Sequence, residues 1–208
     1  MPHPPPHPRR RAFTWKGLDD PNRVDRAHVH VDQDGMTAFG SSTTADYALS
    51  WNLDAADGWV TRTIAVAVHG DGWRRSLHLE RSPSGEWTSR VETLGDVDLP
   101  PPGIAPGTDL RDALDTDLGL CPVTNTMPIR RLDLLARRDP NHDSRSTTLV
   151  MAWIEVPSLR VLRSEQLYGA VDAQTVSFRS GDFAAHLTTD AEGFVIDYPD
   201  LARRLPQR

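Results

Sequence analysis

From Val24 onward, apolar and polar residues alternate with a period of two, the pattern of strands that bury one face. Val24–Asp32 (VDRAHVHVD) alternates up to Gln33-Asp34-Gly35, and MTAFGSS resumes beyond it. Asp-Gly between two such runs predicts a hairpin. Tyr47, Leu49, Trp51 and Leu53 share one strand face, with Ala48, Ser50 and Asn52 opposite. Trp59–His69 (WVTRTIAVAVH) is the clearest strand, with Val60, Ile64, Val66 and Val68 expected on one side. Asp71-Gly72 leads into WRRSLHLER, where Trp73, Leu77 and Leu79 alternate, and Ser84-Gly85 leads into EWTSRVETL.

The pattern then breaks. Asp98–Asp112 (DLPPPGIAPGTDLRD) is rich in Pro and Gly, which excludes a central strand and predicts a long surface loop. Beyond it, Asn125 or Thr126 can cap a helix whose first turn holds Pro128, where a missing N–H costs nothing. Ile129, Leu132 and Leu135 form an apolar stripe, and Arg137 and Arg138 suit the helix C-terminus, so about three turns are expected before Pro140. Pro140–Arg145 reads as a polar loop. Strands resume at LVMAWIEV, VLRSEQLYGAV, TVSFRS, FAAHLTTD and FVIDYP, with turns at Ser180-Gly181 and Glu192-Gly193. Strands on both sides of one helix predict a mainly β, α+β fold: a long antiparallel sheet wrapped around a single central helix.

Composition narrows the function classes. A chain of 208 residues fits one domain with a sizeable core, and 17 prolines indicate many loops. A net charge of −6 argues against general nucleic-acid affinity. The single cysteine, Cys121, excludes an intrachain disulfide and a thiolate-rich metal site, which suits a reducing cytoplasm. In MPHPPPHPRRRAFTW the arginines lack a following apolar region, so residues 1–11 read as a disordered Pro/His/Arg tail and 12–208 as one domain. No stretch has the length of a membrane-spanning helix, so a soluble cytoplasmic protein is expected.

DTDLGLCPVTNTMPIRRL, from Asp115 to Leu132, resembles the central motif of the putative glycolipid-binding protein family, formerly a domain of unknown function. FAAHLTTDAEGFVIDYPDLARRL is similar to that family's C-terminal pattern of a strand, an Asp-x-x-Gly turn and a Tyr-Pro ending. The resemblance implies a spiral β-roll, one antiparallel sheet wound around a single helix and often dimeric, similar to lipoprotein-carrier folds. Cys121 stands where the family often has Thr, and Val123 where it has an aromatic residue. The Pro/Gly-rich loop looks like an insertion, with Asp96-Val97-Asp98 offering a second alignment for the acidic pair.

Several residues carry candidate chemistry. Asp115 and Asp117 face one side of a strand and could serve as an acid/base pair, or they could pair with Arg130 or Arg131. The two arginines could equally grip an anionic headgroup. His28 and His30 share a strand face but are too few for zinc, and Cys121 lies near a helix N-terminus, which lowers a thiol pKa. GxSxG, Walker and dinucleotide glycine motifs are missing from the sequence. Among six tryptophans, Trp51 and Trp153, with Tyr168, sit in strongly alternating strands and could line an apolar cavity.

The leading expectation is a non-enzymatic protein without metal or cofactor. It would hold a glycolipid or other amphipathic molecule between curved sheet and central helix. Trp51, Trp153 and Tyr168 would line the site, with Asn125, Arg130 and Arg131 at the polar head. The rivals are a hydrolase using Asp115 and Asp117, and a structural module that forms a homodimer through an open sheet edge.

Overall fold

The computed structural model describes residues 9–136 and 146–206. Among the described residues, fifteen strands form one open, mixed sheet. In chain order they are β1 (Arg9–Gly17), β2 (Val24–Val31), β3 (Met36–Thr43), β4 (Tyr47–Ala56), β5 (Val60–Gly70), β6 (Trp73–Arg81), β7 (Trp87–Leu94), β8 (Gly103–Ile104), β9 (Asp115–Leu118), β10 (Thr147–Ile154), β11 (Arg160–Ala170), β12 (Thr175–Ser180), β13 (Phe183–Thr189), β14 (Val195–Tyr198) and β15 (Ala202–Arg204). Between β9 and β10 lie a 3-10 turn, Pro122–Asn125, and the one α-helix among the described residues, α1 (Thr126–Arg131).

The spatial order β7-β6-β5-β4-β3-β2-β1-β15-β14-β13-β12-β11-β10-β9 follows the chain almost throughout, with β8 added beside β11. Short turns at the expected dipeptides make this meander. Gly72 and Gly85 supply the positive φ (73° and 90°) that two of these turns require. Only β9 with β10 and β8 with β11 run parallel; every other pair is antiparallel.

Arg9–Arg11, placed in the tail by composition, are instead the start of β1 and pair with Val29–Val31 of β2. Backbone pairing to an existing strand overrides their polar composition here. Residues 1–8 lie outside the described residues.

A bulge on β5 also changes one expected face. Asp54 pairs with Thr63 but Ala55 pairs with Thr61, so Arg62 is the extra residue. Thr61 therefore turns into the core in place of Val60, and its hydroxyl oxygen accepts the Thr116 N–H at 3.1 Å.

The helix is shorter than its apolar stripe suggests. α1 stops at Arg131, and Asp133 adopts φ 51°. Leu134 then donates to the Ile129 carbonyl at 3.2 Å and buries its side chain, so Leu132–Leu135 form a packed turn rather than further helix. Arg137, Arg138, Pro140 and the loop to Arg145 lie outside the described residues.

The Pro/Gly-rich segment is a long connection, as expected, but it also closes the fold. Gly103–Ile104 pair with β11, and the Ile104 N–H donates to Ser89 Oγ on edge strand β7 at 3.2 Å. Arg75, on the core face of β6, is buried and donates to the carbonyls of Pro100, Leu99 (3.1 Å) and Ser158 (3.0 Å). Trp87 Nε1 and Arg81 Nε both donate to the Ala113 carbonyl, at 3.1 and 3.0 Å.

Two apolar clusters flank the helix. Met127 belongs to the larger one, with Trp15, Trp51, Ile64 and Leu77 of β1–β6, Leu118 of β9, Ile154 of β10 and Val161 of β11. Ile129 belongs to the one inside β10–β14, with Met151, Tyr168, Phe178 and Leu187. No helix among the described residues is long and apolar enough to cross a membrane.

Candidate functional site

The Asp115–Arg131 segment folds as a polar network that fastens the helix to the sheet. β9 places Asp115 and Asp117 on one face, and both side chains point at the helical segment. Asp115 is fully buried and receives a two-pronged pair from Arg131, Nη1 to Oδ1 at 2.6 Å and Nη2 to Oδ2 at 2.5 Å. Asp117 accepts from Thr124 Oγ1 at 3.1 Å and from Gln166 Nε2 at 2.6 Å. The Tyr168 hydroxyl donates to Asn125 Oδ1 at 2.9 Å and lies 3.2 Å from Gln166 Oε1.

Asn125 is therefore no cap. It stands at the N-cap position with helical φ, makes no side-chain capping bond, and accepts instead from a tyrosine on β11. The preceding 3-10 turn already supplies an acceptor, the Val123 carbonyl, for the Thr126 N–H, and the Thr126 hydroxyl donates across to Gly193 O at 3.2 Å.

Burial governs the electrostatics. It raises the Asp115 carboxyl above its ordinary value, with the Arg131 hydrogen bonds and charge acting against it. Burial likewise raises Asp117, opposed by Gln166 and Thr124, and holds the Tyr168 phenol well above its usual range. The expected lowering of Cys121 is overturned: burial pushes this thiol up to about 12, nearby Asp25 adds to the rise, and the helix-start N–H groups of Val123 and Thr124 offset only part of it.

Of the six residues nominated from sequence, Asn125, Arg131 and Tyr168 come together, but their polar atoms are engaged with protein partners. Trp51 is packed in the core, and Trp153 is half-buried on β10. Arg130 is exposed, its guanidinium 5.0 Å from the Trp59 ring centroid. Trp15, Trp51, Trp59 and Trp87 are all buried among apolar neighbours. At the junction of sheet and helical segment, the cavity bounded by Trp15, Tyr47, Trp51, Leu118 and Val123 measures about 10 Å³. That is room for one water. On its wall, Asp25 Oδ2 lies 3.7 Å from Arg23 Nε as an ion pair, and neither it nor Ser42 Oγ has a hydrogen-bond partner among the described residues. That cavity is too small for the ligand expected between sheet and helix.

Open space lies on the opposite face of β1–β6. A groove of about 710 Å³ runs there over His28, His30, Phe39, Asn52, Asp54, Ala65 and His78. Strand register explains the grouping, because directly opposed residues share a face. One cross-strand row reads His28, Phe39, Asn52, Ala65, His78 and Arg90, and the next reads Arg10, His30, Thr37, Asp54, Thr63 and Glu80. Phe39 is 55% exposed, and the His28 ring stacks on it at 5.0 Å with planes 14° apart. A second depression of about 440 Å³ continues the groove past Asn52, Ala65 and His78 toward Arg90.

Of this set, the sequence pattern puts Asn52 on the face opposite Trp51 and pairs His28 with His30 as too few for zinc, without joining them. The available signal was hairpin register: with the Asp34-Gly35 turn fixed, His28 must face Phe39. Among the described residues, no three His, Cys, Asp or Glu side chains converge as a metal site.

The family model described as "Putative glycolipid-binding" matches residues 12–204. The crystal structure of a DUF1089 family protein from Pseudomonas aeruginosa is similar, with a TM-score of 0.61 and 25% sequence identity, over 99% of this chain and 96% of that one. No curated protein matches the chain.

Proposed function

The chain belongs to the "Putative glycolipid-binding" family, and on that premise we propose that it binds an amphipathic, sugar-bearing molecule without transforming it. The ligand lies against the outward face of β1–β6 rather than between sheet and helix. One observation carries this placement: the outward groove measures about 710 Å³, while the cavity beside the helical segment measures about 10 Å³. Sites for small molecules usually fall between roughly 300 and 1,000 Å³. The groove also pairs an exposed aromatic ring with amide, carboxylate and imidazole groups, which suits a ligand with both apolar and polar parts.

The hydrolase reading loses its carboxylates. Asp115 is buried with both oxygens held by Arg131, and Asp117 has Thr124 and Gln166 as partners, so Asp115 is not free to share acid/base work with Asp117 as such a pair must.

Protein purified from its native host and extracted with organic solvent should yield about one glycolipid per chain by mass spectrometry. Empty extracts, together with no response to glycolipid micelles in titration calorimetry, would remove the proposal.

A further inference from the structure

The polar groups of the outward groove are not evenly mixed. Toward the β1 end, Arg10 lies directly opposite His30, and the Arg10 guanidinium has no ion pair among the described residues. His30 Nε2 is shielded from solvent and has no hydrogen-bond partner there. Arg11, the neighbouring cation, is held by Glu192 and Asp190. Two residues along the strand from His30, the His28 and Phe39 rings stand face to face, and Phe39 is 55% exposed. Asn52 and Asp54 follow on the adjacent strand, and small Ala65 leaves the floor low before His78, which has Glu80 at 3.9 Å. Phe39 and His78 are three strand steps apart, about 14 Å.

Each part fits one class of ligand. The face of an aromatic ring is electron-rich and attracts the weakly positive C–H face of a sugar ring. A neighbouring amide and carboxylate can take sugar hydroxyls in paired hydrogen bonds, and the carboxylate must find donors when covered. An unpaired guanidinium beside an imidazole with a free valence suits a carboxylate or phosphate.

We propose that this groove binds a sugar ring bearing an acidic substituent. The ring packs on the face of Phe39 turned away from His28, its hydroxyls meet Asn52 and Asp54, and the acidic group meets Arg10 and His30. The inference deepens the functional reading above and rests on it.

The test uses the full chain, isotope-labelled, titrated by NMR with methyl β-D-glucuronide, methyl β-D-glucoside and inorganic phosphate. The glucuronide should shift amides around His28, Phe39, Asn52 and Ala65 and bind at least tenfold more tightly than the glucoside. F39A should weaken it at least tenfold while keeping a dispersed, folded spectrum, and R10A should reduce its affinity to that of the glucoside. Equal binding of glucoside and glucuronide would overturn the acidic assignment, and phosphate binding as tightly as glucuronide would reduce the groove to an anion site. Ligand-free shifts of the same amides with protein concentration would assign the face to a second copy of the chain. Glycolipid recovered in extracts, with no glucuronide response, would sink this inference and leave the wider proposal standing.

Discussion

Arg131 and Asp115 form a buried two-pronged ion pair, with bonds of 2.6 and 2.5 Å, that joins the end of α1 to β9. Removing one partner strands the other charge away from water. Arg131→Met should therefore cost about 3–5 kcal/mol of unfolding free energy in urea titrations. Adding Asp115→Leu should return most of that loss, because two apolar groups need no partners. A double variant as unstable as the single one would show that the pair contributes through shape rather than charge.

Much of the fold was legible before any coordinates, for a local reason. Residues such as Leu49, Trp51 and Leu53 alternate within a single strand, and Asp-Gly and Ser-Gly turns mark its ends, so the meander needs no distant information. The helix was legible in place but not in length. Its stripe of Ile129, Leu132 and Leu135 continues past the point where Asp133 reverses the backbone, because Leu134 gains more from the core than from another helical turn. Asn125 looked like a cap because its true partner, Tyr168, lies 43 residues away. The outward groove was invisible for the same reason: His28, Phe39, Asn52, Ala65 and His78 meet only through cross-strand register.

Asp25 should make the fold less stable as pH rises. Burial raises its carboxyl above the ordinary 3.8, with Ser42 and Arg23 only partly offsetting this. The folded state then binds this proton more tightly than the unfolded chain. The contribution is complete below the unfolded value and is lost as pH climbs from about 4 through the folded value. Asp25→Asn should flatten that part of the slope, matching the parent below the unfolded value and exceeding it at pH 7. Denaturation at both pH values decides it: a variant weaker at pH 7 would make Asp25 the needed counter-charge of fully buried Arg23.

Cys121 should be inert in the folded protein. With the thiol pushed up to about 12, on the order of one molecule in ten thousand carries a thiolate at pH 8, and only the thiolate reacts. Iodoacetamide should label the native chain at least a hundredfold more slowly than the urea-unfolded chain. Comparable rates would mean that the helix-start N–H groups outweigh burial after all.

Arg75 should control the seam where the Pro/Gly-rich segment crosses the sheet. Arg75→Met removes donors from three carbonyls, at Leu99, Pro100 and Ser158, for an expected loss of about 2 kcal/mol. Hydrogen exchange should rise first in residues 95–112, at denaturant concentrations too low for global unfolding. Uniform acceleration across all strands would show that the segment and the sheet open as one.

The meander also sets where the chain meets its largest entropic barrier. Nearly every strand pairs with its predecessor, so most of the sheet can form by successive short loop closures, each with a small entropic cost. The pairing of β1 with β15 is different: Trp15 meets Arg204 across almost the whole chain. Topologies dominated by local pairings fold fast, and distant ones fold slowly. The hairpin runs on either side of that seam can therefore assemble early, and the joining of first and last strands is the late step that turns them into one continuous surface.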